Sequence, residues 1–192
     1  LLHIGNMAAK TYFGYESGAV KYDFAEETEL DSLDTFFAAS GISEFQDTRA
    51  WLRIFQIDQH GREITLLDDY KYDFTPGMAN RFDLSKFKLK VKGTVYFMLK
   101  NESPRAKGFV LGVDNSNTLS NNSFVGEGGN LYKLDFVNTT TGKLNGNLMM
   151  RLNVSGAANT NIDSPEIDKP VEYNSSALEG RTNSAGQIVT VF

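Results

Sequence analysis

Apolar and polar residues alternate along most of the chain, and a period of two marks half-buried β-strands rather than helices. The clearest case begins at Ala50, where Trp51, Arg53, Phe55 and Ile57 share one face and Leu52, Ile54 and Gln56 the other. The polar interval Asp58-Gln59-His60-Gly61-Arg62 separates this run from Glu63-Ile64-Thr65-Leu66-Leu67, which predicts a β-hairpin. Large apolar groups on both faces predict a central hairpin covered on both sides. Trp51, Ile54 and Phe55 are expected in its core, with Val95, Phe97, Leu99, Val110 and Leu134.

The same grammar recurs. Thr11–Tyr15 and Ala19–Phe24 flank Glu16-Ser17-Gly18 as an opening hairpin, and Thr94–Leu99 with Gly108–Val113 flank a turn as a second. Leu131–Val137 and Asn147–Val154 read as a third, and Val171–Tyr173 and Ile188–Phe192 as further strands. Lys-Tyr-Asp-Phe occurs at 21–24 and 71–74, with relatives at 81–84 and 133–136; the irregular spacing marks strand grammar rather than a structural repeat. One stretch departs from period two. Glu26, Glu27 and Glu29 precede Leu30, Leu33, Phe36 and Phe37 at helical spacing, and Gly41 follows, so the pattern predicts a short amphipathic helix over Glu26–Ala39.

These elements predict an all-β fold: an antiparallel β-sandwich or jelly-roll-like barrel with one short amphipathic helix and long polar loops. Residues 1–10 read as a flexible N-terminal extension, with Met7-Ala8-Ala9-Lys10 resembling a start of translation, and 11–192 as a single β domain. Asp114–Asn130 is rich in Asn, Ser and Gly and reads as a long loop anchored only by Leu119, Phe124 and Val125; loops of that length are functional or mobile.

Composition narrows the classes. Hydrophobic residues make up 41% of the chain, enough for a core, yet no run nears the ~18 apolar residues of a membrane span. A net charge of −5 argues against a nucleic-acid groove, which needs a basic stripe to displace counterions. The alternating lysines of Lys86–Lys92 fit a solvated strand face. With no cysteine there is neither a disulfide nor thiolate chemistry.

Catalytic patterns are sparse. His3 and His60 are the only histidines, and no Gly-x-Ser-x-Gly elbow or phosphate loop is present. Glu29-x-Asp31-x-x-Asp34 falls on the expected helix, where its carboxylates diverge, and adjacent Asp68 and Asp69 are expected to face opposite sides of a strand. Asp114-Asn115-Ser116-Asn117-Thr118 lacks the glycine and glutamate of a calcium loop. Glycosylation triplets stand at Asn101, Asn121, Asn138, Asn153 and Asn174, and Tyr12, Tyr15, Tyr22, Tyr70 and Tyr72 are candidate sugar platforms. No catalytic, cofactor-binding or metal-ligating set emerges.

The expectation is a non-enzymatic structural subunit of a larger assembly: a virion or phage shell, decoration or tail protein, or an extracellular assembly. Its partners would be further copies or neighbouring subunits, without nucleic acid or membrane span, at a virion or extracellular surface. The alternatives are a carbohydrate- or ligand-binding β-sandwich and, third, a glycoside-hydrolase-like enzyme. The expected interaction residues are Phe124 and Val125 of the long loop, Ile188, Val189, Val191 and Phe192 of a terminal strand open to another chain, and Tyr12 and Phe13.

Overall fold

The computed structural model describes residues 1–8, 12–13, 15–39, 47–102, 107–115, 121–139, 142–144 and 146–155. Its strands are β1 (Leu2–Ile4), β2 (Asn6–Ala8), β3 (Tyr12–Phe13), β4 (Ser17–Ala38), β5 (Arg49–Ile57), β6 (Glu63–Asp73), β7 (Met78–Asp83) and β8 (Lys90–Lys100). They continue with β9 (Phe109–Leu111), β10 (Val113–Asp114), β11 (Ser123–Glu127), β12 (Asn130–Lys133), β13 (Asn138–Thr139), β14 (Gly142–Lys143), β15 (Asn147–Leu148) and β16 (Met150–Ser155). The described fold is almost wholly antiparallel β, in a curled sheet organised around β4.

At 22 residues β4 would reach about 70 Å if straight, too long for a small domain. It belongs instead to two arms. Its first half pairs with β8 on one side and β11 on the other; its second half pairs with β7 on one side and with β16 and then β9 on the other. The strands beyond β8 are β5 and then β6, so the first arm runs β12-β11-β4-β8-β5-β6. Gly18 marks where the arms meet: a Cβ there would lie 2.6 Å from a Leu111 methyl and 3.2 Å from methyls of Leu2 and Leu148. The Tyr22 hydroxyl crosses the same gap, donating to the Met150 carbonyl at 2.7 Å and accepting from the Leu152 N–H at 3.3 Å.

The expected helix over Glu26–Ala39 is therefore strand, and bulges explain the helical look of its sequence. Between Phe24 and Thr28 the register slips so that Ala25, Glu26 and Glu27 face the single residue Lys92, and all three are exposed. A second slip leaves Asp31 extra between Leu30 and Ser32. The first slip adds two residues and so keeps the facing, with Phe24 and Thr28 both buried, whereas the single extra Asp31 carries the next side chain to the opposite face. Thr28, Leu30, Leu33 and Phe37 thus all point inward, at spacings that imitate a helix stripe. The only helical turns among the described residues are 3-10 turns at Ser85–Phe87 and Leu134–Phe136.

The core lies between the arms. Phe37, Phe82, Phe97 and Phe109 are each at most 1% exposed, and Ile54, Val95, Leu99 and Leu134 are buried there as expected; Val110 is buried too, but in a separate cluster with Ala38. Trp51 is not; it is half-buried on the other face of β5. The β5–β6 hairpin forms as predicted, its turn closed by the Asp58 carboxylate accepting from the N–H groups of His60 and Arg62.

Other pairings differ from expectation. β8 is flanked by β4 and β5, so β9 cannot pair with it and joins β1 and β4 instead. Tyr12–Phe13 pairs with Asn6–Ala8 rather than with β4. Leu2 and Ile4 are buried and β1 is hydrogen-bonded to β9, so these residues are built into the fold rather than forming a flexible extension. The expected third hairpin is divided: Leu131 lies in β12, which pairs with β11, while Met150–Ser155 pairs with β4. The expected loop Asp114–Asn130 holds β11, joined to β12 by a tight turn with both Gly128 and Gly129 at positive φ, as a type I′ turn requires.

Candidate functional site

Alternation leaves each strand of the first arm with a second, outward face, and the registers show what lies there. Directly opposed residues on antiparallel strands share a face. One row across the arm is Lys71, Trp51, Lys100, Ser17, Gly126 and Leu131; the next passes from Arg53 through Met98, Ala19 and Phe124 to Lys133; a third is Thr65, Phe55, Tyr96 and Lys21. Aromatic rings join the rows, with Phe55 stacked on Tyr96 at 5.2 Å and Tyr96 edge-on to Phe124 at 5.7 Å. Trp51, Tyr96, Met98, Phe124 and Leu131 are all half-buried, so the middle of this outward face is apolar.

Its two margins differ in charge. At the β6 margin the Arg53 guanidinium donates to three carboxylates: Nε to Asp69 at 3.2 Å, Nη2 to Asp68 at 2.7 Å and Nη1 to Glu63 at 3.2 Å. Lys100 Nζ adds a 2.5 Å ion pair to Asp69. This corrects the expectation that Asp68 and Asp69 face opposite ways. Leu52 opposes Tyr70 and Ile54 opposes Leu67, so both aspartates stand against Arg53 in a bulge, with Asp69 at φ 34°. Burial would lower the Arg53 pKa, but the three carboxylates outweigh it and raise it. Lys71 stands on the same face of β6, so three acids meet three cations and this margin is charged but balanced; Lys133 lies at the opposite margin, and Lys21 pairs with Asp23 at 3.7 Å.

A second polar cluster lies on the outward side of the other arm. Arg81 holds Asp34 through two hydrogen bonds of 2.7 and 2.8 Å, and the Asn153 amide donates to Asp34 at 3.0 Å and to the Ser32 hydroxyl at 3.1 Å. Burial alone would raise the Asp34 pKa; the hydrogen bonds and the charges of Arg81 and Arg151 overcome it and lower it. A carboxylate so held stays ionised and ties Arg81 and Asn153 together across the strands. Among the described residues no group of three or more acids and histidines is placed to hold a metal ion.

The expected sugar platforms are mostly occupied. Tyr22 is a strut between the arms, with its pKa raised to about 12 by burial, and Tyr72 packs on Phe82 with its hydroxyl on the Asp83 carbonyl. Tyr15 is half-buried, and of Tyr12 only the backbone is described; Tyr70 stays exposed. Of the glycosylation triplets, Asn101 is 6% exposed and Asn153 is hydrogen-bonded to Ser32 and Asp34, which leaves neither amide open to modification. Asn174 is outside the described residues.

The expected interaction residues separate in the same way. Phe124 lies on the outward apolar face, whereas adjacent Val125 is 0% exposed in the core, so its expected exposure is corrected. Tyr12 and Phe13 form β3. Ile188, Val189, Val191 and Phe192 lie outside the described residues. Sequence reasoning missed Trp51, Tyr96 and Met98 as surface groups because alternation gives two faces and does not say which one is covered. The charged partners Arg53 and Lys100 among the apolar groups were the available signal. Compared with models of known families, with curated proteins and with solved structures, the chain matches none.

Proposed function

We propose that this chain is a non-enzymatic structural subunit of a larger assembly, a shell, decoration or tail protein of a virion or phage or a component of an extracellular assembly. The reading takes the two arms of the curled sheet as layers of a sandwich whose outward faces meet neighbouring subunits. The observation that carries it is the outward face of the first arm, where Trp51, Tyr96, Met98 and Phe124 form a half-exposed apolar band flanked by charged residues. A second copy is the occupant this face fits: a two-fold axis lying in the interface brings the apolar band of one subunit against the same band of the other, and the paired charges at the rim stay solvated. Aromatic and Met groups at a patch centre are part of the composition that interfaces favour.

β6 contributes its charged margin rather than a free edge. It pairs only with β5 among the described strands, and its two bulges and its charged residues Asp68, Asp69, Lys71 and Asp73 are devices that stop edge-to-edge pairing. The sequence of Ile188–Phe192 supplies a separate, strand-exchanging contact in this proposal.

Light scattering after size-exclusion chromatography tests it on the full chain, on Phe124→Ser, on Met98→Lys and on a chain lacking 188–192. An oligomer whose mass drops in Phe124→Ser or Met98→Lys supports the face. Loss only in the truncated chain moves the contact to the terminus. A monomer at high concentration, unchanged in all variants, rejects assembly in favour of a ligand-binding module.

A further inference from the structure

The inner edge of β6 and the 3-10 turn at Ser85–Phe87 bring three aromatic rings together around one ammonium. Tyr70 meets Phe87 at 4.8 Å and 76° and Tyr72 at 5.0 Å and 58°, so the rings stand as angled walls rather than a stack. The Lys86 Nζ sits 4.3 Å from the Tyr70 centroid, 5.1 Å from Tyr72 and 5.0 Å from Phe87, and donates to the Tyr70 hydroxyl at 3.0 Å. All three distances are within the ~6 Å over which a ring quadrupole attracts a cation.

Two of the walls are fixed independently of Lys86, and Tyr70 packs against both of them. Tyr72 is held by its 4.5 Å contact with Phe82 and by the 2.7 Å bond from its hydroxyl to the Asp83 carbonyl. Phe87 is held by its turn, whose N–H donates to the carbonyl of fully buried Leu84 at 3.0 Å. Asp83 adds a negative charge nearby; its pKa is lowered chiefly by the Ser85 hydroxyl, with the Lys86 charge contributing. Lys86 is exposed, so its ammonium can move out to solvent without disturbing the core.

We propose that the corner formed by Tyr70, Tyr72 and Phe87 is a binding site for a quaternary or methylated ammonium group, occupied in the free protein by the chain's own Lys86. The geometry favours a cation over a sugar, because the Tyr70 face that a sugar ring would stack on is the one the ammonium covers. A methylated ammonium keeps the cation–π attraction while shedding the strong hydration of a primary amine, so it displaces Lys86 and leaves the lysine to solvent. This site is independent of the assembly reading.

The test titrates choline and, separately, Nε-trimethyl-lysine into the full chain, into Lys86→Ala and into Lys86→Ala/Tyr70→Ala, reading ring and amide signals by NMR, with methyl glucoside as the neutral probe. Emptying the corner is expected to tighten binding at least about fivefold, the penalty of a self-occupied site. Removing the Tyr70 wall is expected to reverse that gain, with the amide spectrum reporting an intact fold. Binding of choline alone identifies a headgroup-like ligand and of trimethyl-lysine alone a modified side chain; either supports the site. Absence of saturable binding by both cations in Lys86→Ala, binding that survives Tyr70→Ala, or binding of the glucoside alone overturns it.

Discussion

Phe37 gives the sharpest test of how the core is built. It is 0% exposed and stacks on Phe74 with centroids 3.7 Å apart, while Phe109 meets it edge-on at 5.5 Å and Phe82 lies at 5.9 Å. Truncating a buried phenylalanine to alanine costs about 3–5 kcal/mol in transfer and cavity terms. Each aromatic contact contributes about 0.5–1.5 kcal/mol beyond area, which places Phe37→Ala at the upper end of that range. Its neighbour Phe36 points to the other face and is half-buried beside Ala38 and Val110, so Phe36→Ala is expected to cost about 1–2 kcal/mol, in keeping with partial burial. Urea unfolding followed by Trp51 fluorescence and far-ultraviolet circular dichroism measures both. With a slope of about 2 kcal/mol per molar, Phe37→Ala is expected to move the midpoint by about 2 M, and Phe36→Ala by less than half of that. Equal losses would refute the alternation of this strand, and a Phe37→Ala loss below about 1 kcal/mol would refute its place in the core.

Asp34 has a lower pKa folded than unfolded, so its contribution to stability is complete above the ordinary carboxylate pKa and is lost as pH falls through the folded value; Asp34→Asn is expected to flatten the acid limb of a stability–pH profile, and an unchanged limb would remove Asp34 from that role. Gly146 sits at φ 139° with an added Cβ only 2.3 Å from the Asp114 carbonyl oxygen, so Gly146→Ala is expected to lower stability by about 1–3 kcal/mol in the same urea assay. Arg53→Ala leaves Glu63, Asp68 and Asp69 without their shared cation and is expected to cost about 1 kcal/mol at low salt, shrinking in high salt because these groups are partly exposed; a salt-independent loss would point to packing of the arginine stem instead.

Period-two alternation by itself determined the all-β class, the β5–β6 hairpin and the shared face of Val95, Phe97 and Leu99, because a pleated strand sends successive side chains to opposite faces whatever its neighbours. It did not determine which strands pair. β8 and β9 follow one another in sequence yet lie on opposite sides of β4, since pairing depends on burial shared among segments far apart in the chain. Nor did it distinguish a bulged strand from a helix at Glu26–Ala39, because the residue inserted at Asp31 makes the step from Leu30 to Leu33 three, and with the ordinary step of four to Phe37 it imitates a helix. The bulge at Asp68 and Asp69 hid the Arg53 network for the same reason. Which face of a strand stays open is likewise a tertiary fact: Trp51 and Ile54 read alike as large apolar residues, and only the closure of the second arm over the Ile54 side leaves Trp51 outside.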